Sequence, residues 1–194
     1  TVYILAYNRD MFDEVGLPDR APTTWEEMES FASKINKWDP NRGFVRMGIT
    51  SNASAYLPAL YSNKGRYISD DGRKVYLNSV ESVETLNWLA GFTQKVNRGL
   101  SAESQFNSNI GNPAAGPFLA GYLGMWWANV SIFWNRDTFA PNMRLGLGLF
   151  PRNGRKAGTE NHGVVTEGWG YVNPSNIARD KQYSAYLLLE WLTA

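Results

Sequence analysis

The chain has 194 residues, with 19 Lys and Arg against 18 Asp and Glu and a net charge of +1. The charges are scattered rather than run together, which removes the electrostatic basis for binding nucleic acid or an anionic membrane. Cysteine is absent, which excludes disulfides and thiolate metal sites, and no apolar run is long enough to span a bilayer. Hydrophobic residues make up 43% of the chain and charged residues 19%, a balance that buries a core. Aromatic residues are abundant, with 8 Trp, 10 Tyr and 9 Phe. Flat rings fill cores, and they also cover the apolar faces of sugar rings.

No signal-peptide pattern opens the chain. Residues 1–7 read as a buried strand entered midway, so the sequence reads as a piece of a longer protein. Asn8 is placed to cap a short helix with Met11, Phe12 and Val15, and Gly16 to end it. Thr24-Trp25-Glu26-Glu27 fits a capping box. Trp25, Met28, Phe31, Ala32 and Ile35 then form one helical stripe. Asp39 to Gly43 breaks the pattern, and Phe44 to Thr50 reads as a strand. A helix over Asn52 to Asn63 is interrupted by Pro58, and Asp70-Asp71-Gly72 marks a hairpin turn. Asn78 or Ser79 opens a long helix with an expected buried stripe of Val80, Val83, Leu86, Ala90 and Val96. Gly99 to Gly111 reads as loop, Pro113 to Gly121 as a short helix and Leu123 to Trp127 as a strand. Asn129 or Ser131 caps a further helix, in which Trp134 is expected in the core. Arg144 to Phe150 alternates Leu with Gly, a strand in tight quarters. Pro151 to Glu167 is polar and glycine-rich, a crossover. Trp169 to Val172 reads as a strand and Ala178 to Leu192 as a helix, with Ala185, Leu188, Leu189 and Leu192 on its apolar face. Strands alternating with helices predict an α/β fold.

Motifs for enzymatic chemistry are few. There is no nucleophile elbow and no phosphate loop. The one histidine, His162, reads as a surface loop residue, so no metal site and no cofactor is expected. Glycosidases need only two carboxylates, and Glu160, Glu167 and Asp137 are the pairs to consider. Glu160 and Asp137 read as surface charge, whereas Glu167 directly precedes Gly168-Trp169-Gly170. Binding of a peptide or polyamine is a further reading, but the dispersed acidic residues do not favour a polyamine.

In order along the chain, several segments match one pattern. Tyr7-Asn8-Arg9-Asp10-Met11-Phe12, Gly16-Leu17 and Pro22-Thr23-Thr24-Trp25-Glu26-Glu27 resemble the opening of family 1 extracellular solute-binding proteins, the maltose-binding-protein-like group. Asn63-Lys64-Gly65-Arg66 and Asp71-Gly72 resemble its glycine-rich hairpin. Phe118-Leu119-Ala120-Gly121-Tyr122-Leu123-Gly124-Met125 resembles its Phe-x-x-Gly-x-x-Ala-Met signature, with Gly124 in place of alanine. Phe150-Pro151, Gly168-Trp169-Gly170 and the stretch from Ala185-Tyr186 to Trp191-Leu192 continue the match.

The resemblance implies a periplasmic-binding-protein-like II lobe, with a mixed β-sheet flanked by helices. Residues 1–155 would form most of the second lobe, and 156–194 a hinge crossing that returns toward the first. It further implies a monomeric, extracytoplasmic component of an ABC importer that delivers a sugar or oligosaccharide to membrane permease subunits, with no enzymatic activity. A glycosidase or a noncatalytic carbohydrate-binding module is the alternative. The ligand would lie between the lobes, on helix starts that offer free amides. Three places fit: Asn52 to Tyr56, Trp127 to Ser131 with Asn129 between them, and Glu167 with Trp169. Adjacent Trp126 and Trp127 must point to opposite faces of their strand, and Trp127 is the one expected at the cleft.

Overall fold

The computed structural model describes residues 3–51, 55–111, 113–156 and 178–193. The central strand β1 (Ile4–Asn8) lies between β4 (Met125–Ala128) and β5 (Leu145–Gly148), both antiparallel to it. Its residues alternate between two cores, as a pleated strand requires. Leu5 and Tyr7 face one cluster with Met125 and Trp127, while Ala6 faces the other with Ala128. On the first face pack α1 (Arg9–Glu14), α2 (Trp25–Ile35) and α4 (Val80–Lys95); on the second pack α5 (Leu100–Ile110), α6 (Gly116–Leu119) and α7 (Ser131–Phe139). Helices thus cover both sides of the sheet, the expected α/β layering, although its three strands are antiparallel rather than mixed.

The helix starts follow the capping residues. Asn8 Oδ1 accepts from the amides of Asp10 and Met11 at 3.0 and 3.1 Å, and Gly16 ends that turn at φ +67°, a conformation glycine enters freely. Thr24 caps α2 by accepting from Glu27 N at 3.2 Å. Glu27 reaches back one residue further than in the usual box, to the Thr23 amide at 2.8 Å and its hydroxyl at 2.9 Å. The predicted stripe of Trp25, Met28, Phe31, Ala32 and Ile35 is buried throughout.

Three expectations are corrected. A short strand β2 (Lys37–Asp39) pairs with β3 (Gly43–Arg46) across the Asp39 turn, because the Asp39 carboxylate accepts from Asn41 N and Arg42 N and closes the hairpin. Residues 100–110 form helix α5 rather than loop, since Ala102 and Phe106 place an apolar edge in the second core. The stripe on α4 is rotated: Val80, Val83 and Leu86 are exposed, whereas Ser82, Thr85, Phe92 and Thr93 are buried. The cause is the neighbouring α3 (Tyr56–Ser62), whose Tyr56 hydroxyl needs Ser82 (2.5 Å) and whose C-terminal Asn63 needs Thr85 and the Glu81 carbonyl. Buried polar groups without partners cost more than exposed valines.

The glycines of β5 have a steric cause. A Cβ on Gly146 would lie 2.1 Å from the Tyr7 ring, and one on Gly148 would lie 2.2 Å from Ala21 Cβ. Gly124, where alanine is usual in the resemblance, would bring a Cβ within 2.8 Å of Ile35. The last helix, α8 (Arg179–Thr193), leaves Tyr183, Tyr186, Leu188 and Trp191 exposed. No helix among the described residues is long and apolar enough to cross a membrane.

Candidate functional site

The end of β4, where the chain turns into α7, carries the site. Trp127, near the end of β4, is 8% exposed and stacks on Phe150 with centroids 4.2 Å apart and planes at 14°. Trp126 points to the opposite side and packs against the second core. Beyond β4 the chain turns into α7 through Asn129, whose Oδ1 accepts from Ser131 N at 2.9 Å and Ser131 Oγ at 2.5 Å. This bond holds Asn129 at the helix start and leaves its amide NH2 available as a donor. Trp127, Asn129 and Ser131 line one open space of about 250 Å3, together with Tyr3, Trp126 and Asn135.

A second space of about 370 Å3 touches the same indole. Its walls are largely apolar: Met28, Ile49, Leu89, Phe92 and Trp127, with Thr50, Ser51 and Thr93 as polar members. Among the described residues neither space is lined by a charged side chain. Such a lining offers aromatic faces and neutral donors and acceptors, which suits an uncharged, hydroxyl-bearing molecule.

A polar groove of about 420 Å3 differs in kind. It is lined by Trp25 and Trp88, stacked at 4.3 Å, and by Glu26, Glu29, Glu84 and Lys156. Its charges are largely used within the protein. Lys156 beside Glu84, with an added hydrogen bond from Asn63, holds that carboxyl below its ordinary range. Arg155 pairs with Glu26 at 3.0 Å, and Glu29 accepts from the Trp88 indole at 2.9 Å.

The site residues expected from sequence separate into three groups. Trp127, Asn129 and Ser131 come together. Tyr56 lines neither space, its hydroxyl being bonded to Ser82 on α4, although the preceding Ala55 lines the second. Asn52, Glu167 and Trp169 lie outside the described residues, as do Glu160 and His162. Trp134, expected in the core, is 75% exposed on α7 beside exposed Val130 and Phe133. Its neighbour Ile132 takes the buried position, because a short helix over a sheet buries one narrow stripe. Sequence reasoning missed Ser51 and Thr93, which are ordinary hydroxyl residues whose approach only the packing of α4 creates.

Solved structures share this architecture. An ABC transporter solute-binding protein from Thermotoga lettingae TMO, bound with α-D-tagatose, superposes with a TM-score of 0.68 at 24% identity, covering 100% of this chain and 48% of that one. CpMnBP1 with mannotriose bound gives a TM-score of 0.66 at 20% identity over 78% of this chain and 40% of its own. UgpB from Mycobacterium tuberculosis, in complex with glycerophosphocholine, gives 0.59 at 15% identity over 100% and 45%. The chain therefore spans less than half the length of each of these proteins, and at these identities the likeness shows the fold. No curated protein matches it in sequence. The family described as bacterial extracellular solute-binding protein, however, matches every residue from 1 to 194, and the chain belongs to that family.

Proposed function

We propose that this chain is part of the substrate-binding component of an ABC importer, and that it contributes one wall of a cleft for a sugar or oligosaccharide. The observation that carries the reading is the uncharged lining that brings Trp126, Trp127, Asn129 and Ser131 around one open space. Family membership supports it. Two of the solved structures hold hydroxyl-rich sugars, a ketose and a trisaccharide, whereas the third holds a charged glycerol phosphodiester. A polyamine would call for carboxylates in this lining, and none stands there among the described residues.

On this reading residues 1–155 form most of the second lobe, and 156–194 cross toward the first. Glu167, Trp169 and Asn52 complete the ligand contacts. The lobes close about a hinge on the ligand without covalent chemistry. The protein acts outside the cytoplasm as a monomer and hands its ligand to permease subunits.

The test is calorimetric titration of the complete protein with D-tagatose, mannotriose and glycerophosphocholine. Micromolar binding of one sugar, weakened about tenfold or more by Asn129→Ala, is expected. Failure of every sugar to bind a folded protein would sink the reading. Hydrolysis of a chromogenic glycoside that Glu167→Gln abolishes would establish a glycosidase instead.

A further inference from the structure

The segment past β3, residues 47–51, has backbone pairing on one side only, through Met47 and Gly48. Toward β4 it is paired: Met47 N donates to the Tyr122 carbonyl, Gly124 N to Met47 O, and Met125 N to Gly48 O. On the other side three side chains satisfy its backbone. Asn36 accepts from Gly48 N at 2.6 Å, Asn97 donates to Ile49 O at 2.9 Å, and Glu103 accepts from Ser51 N at 3.0 Å. Each unpaired backbone group buried here would otherwise be costly.

Glu103 is the exceptional member. It is 5% exposed, and no ion-pair partner stands against it among the described residues. Burying a carboxylate is expensive unless donors replace its water. Here the donors are the Ser51 amide, the Ser51 hydroxyl at 2.6 Å and the Asn97 amide at 2.7 Å, and the first turn of α5 adds favourable peptide dipoles. The Thr93 hydroxyl lies 2.5 Å from Ser51 Oγ. So Ser51 is gripped through both its amide and its hydroxyl by Glu103 of α5 and through its hydroxyl by Thr93 of α4, while Asn97 of the α4–α5 turn braces Glu103.

Ser51 and Thr93 are also polar members of the 370 Å3 space that Trp127 lines. With the Ser51 proton given to Glu103, Ser51 Oγ can only accept, from the Thr93 hydroxyl and through its remaining lone pair. We infer that Glu103 is a positioning residue: it fixes the chain at Ser51 and sets the hydrogen-bonding sense of the polar rim beside Trp127. The ligand half of this inference rests on the carbohydrate reading above; the positioning half does not.

The experiment compares the complete wild-type protein with Glu103→Gln, which keeps the shape but replaces one accepting oxygen with a donor. Amide hydrogen exchange is followed at Ile49–Ser51, β1 and α2, and titration uses D-tagatose and mannotriose. Exchange at Ser51 is expected to rise about tenfold with β1 and α2 unchanged, and affinity for the bound sugar to fall about tenfold. Unchanged exchange at Ser51, or an equal rise in β1 and α2, would overturn the positioning role. Unchanged affinity despite faster exchange would overturn the ligand half. If Glu103→Gln does not fold, Ser51→Ala removes the hydroxyl contacts alone; a roughly fivefold loss of affinity is then expected, and none would overturn the inference. If the wild type binds neither sugar, the carbohydrate reading and the ligand half both fall, and exchange still decides the role of Glu103.

Discussion

Two tryptophans seven residues apart show how position governs what an indole does. Trp127 gives one face to Phe150 and keeps only 8% of its surface exposed, whereas Trp134 keeps 75%. Truncating a buried Trp loses its transfer energy and leaves a cavity, a cost of about 3–5 kcal/mol. Truncating an exposed one changes stability by roughly 0.5 kcal/mol or less. Urea unfolding of Trp127→Ala and Trp134→Ala is expected to separate them by that margin, and equal midpoints would contradict the burial. The opposite pointing of Trp126 and Trp127 follows from strand geometry and was legible in the sequence. The exposure of Trp134 was not, because a single turn of helix pattern does not say which stripe meets the sheet.

At the scale of the element, α2 is held at its start by Thr24 and by Glu27. The Arg20 guanidinium, then the Thr23 amide and hydroxyl, hold the Glu27 carboxyl down at about 2 from an ordinary 4.5. A depressed carboxyl stabilises the fold fully above the unfolded value, and this contribution disappears as pH falls from about 4.5 toward 2. Glu27→Gln is therefore expected to lose less Tm than wild type between pH 5 and pH 2.5. The difference should be about 1–3 °C, since the group is partly solvated and screened. A wild-type protein no more acid-sensitive than the variant would refute the role of this contact. The capping signal was plain in the sequence. The rotation of α4 was not: Val80, Val83 and Leu86 form as good a stripe as Ser82, Thr85 and Phe92. Only the demands of Tyr56 and Asn63 choose between them.

At the scale of the whole molecule, the chain covers less than half the length of the solved relatives, and the proposed ligand contacts meet only one wall of a cleft. On the proposed carbohydrate reading, the 194-residue chain alone is expected to bind sugars at least a hundredfold more weakly than the complete protein, because that reading places the remaining contacts and the closure that excludes water in the rest of the protein. Calorimetry that finds micromolar affinity in the isolated chain would contradict this.

The sequence by itself determined the α/β class, the helix starts at Asn8 and Thr24, a further start at Asn78 or Ser79, the glycine turns and the family. Each of these is a local matter of periodicity, capping and backbone freedom, or an ordered run of short motifs. Tertiary structure alone decided which face of α4 is buried, that residues 100–110 are helical, that Trp127, Asn129 and Ser131 share one space, and that Glu103 grips Ser51 from 52 residues away. Those facts depend on partners distant in the chain. A buried polar group takes whichever neighbour can satisfy it, and local sequence does not encode where that neighbour will be.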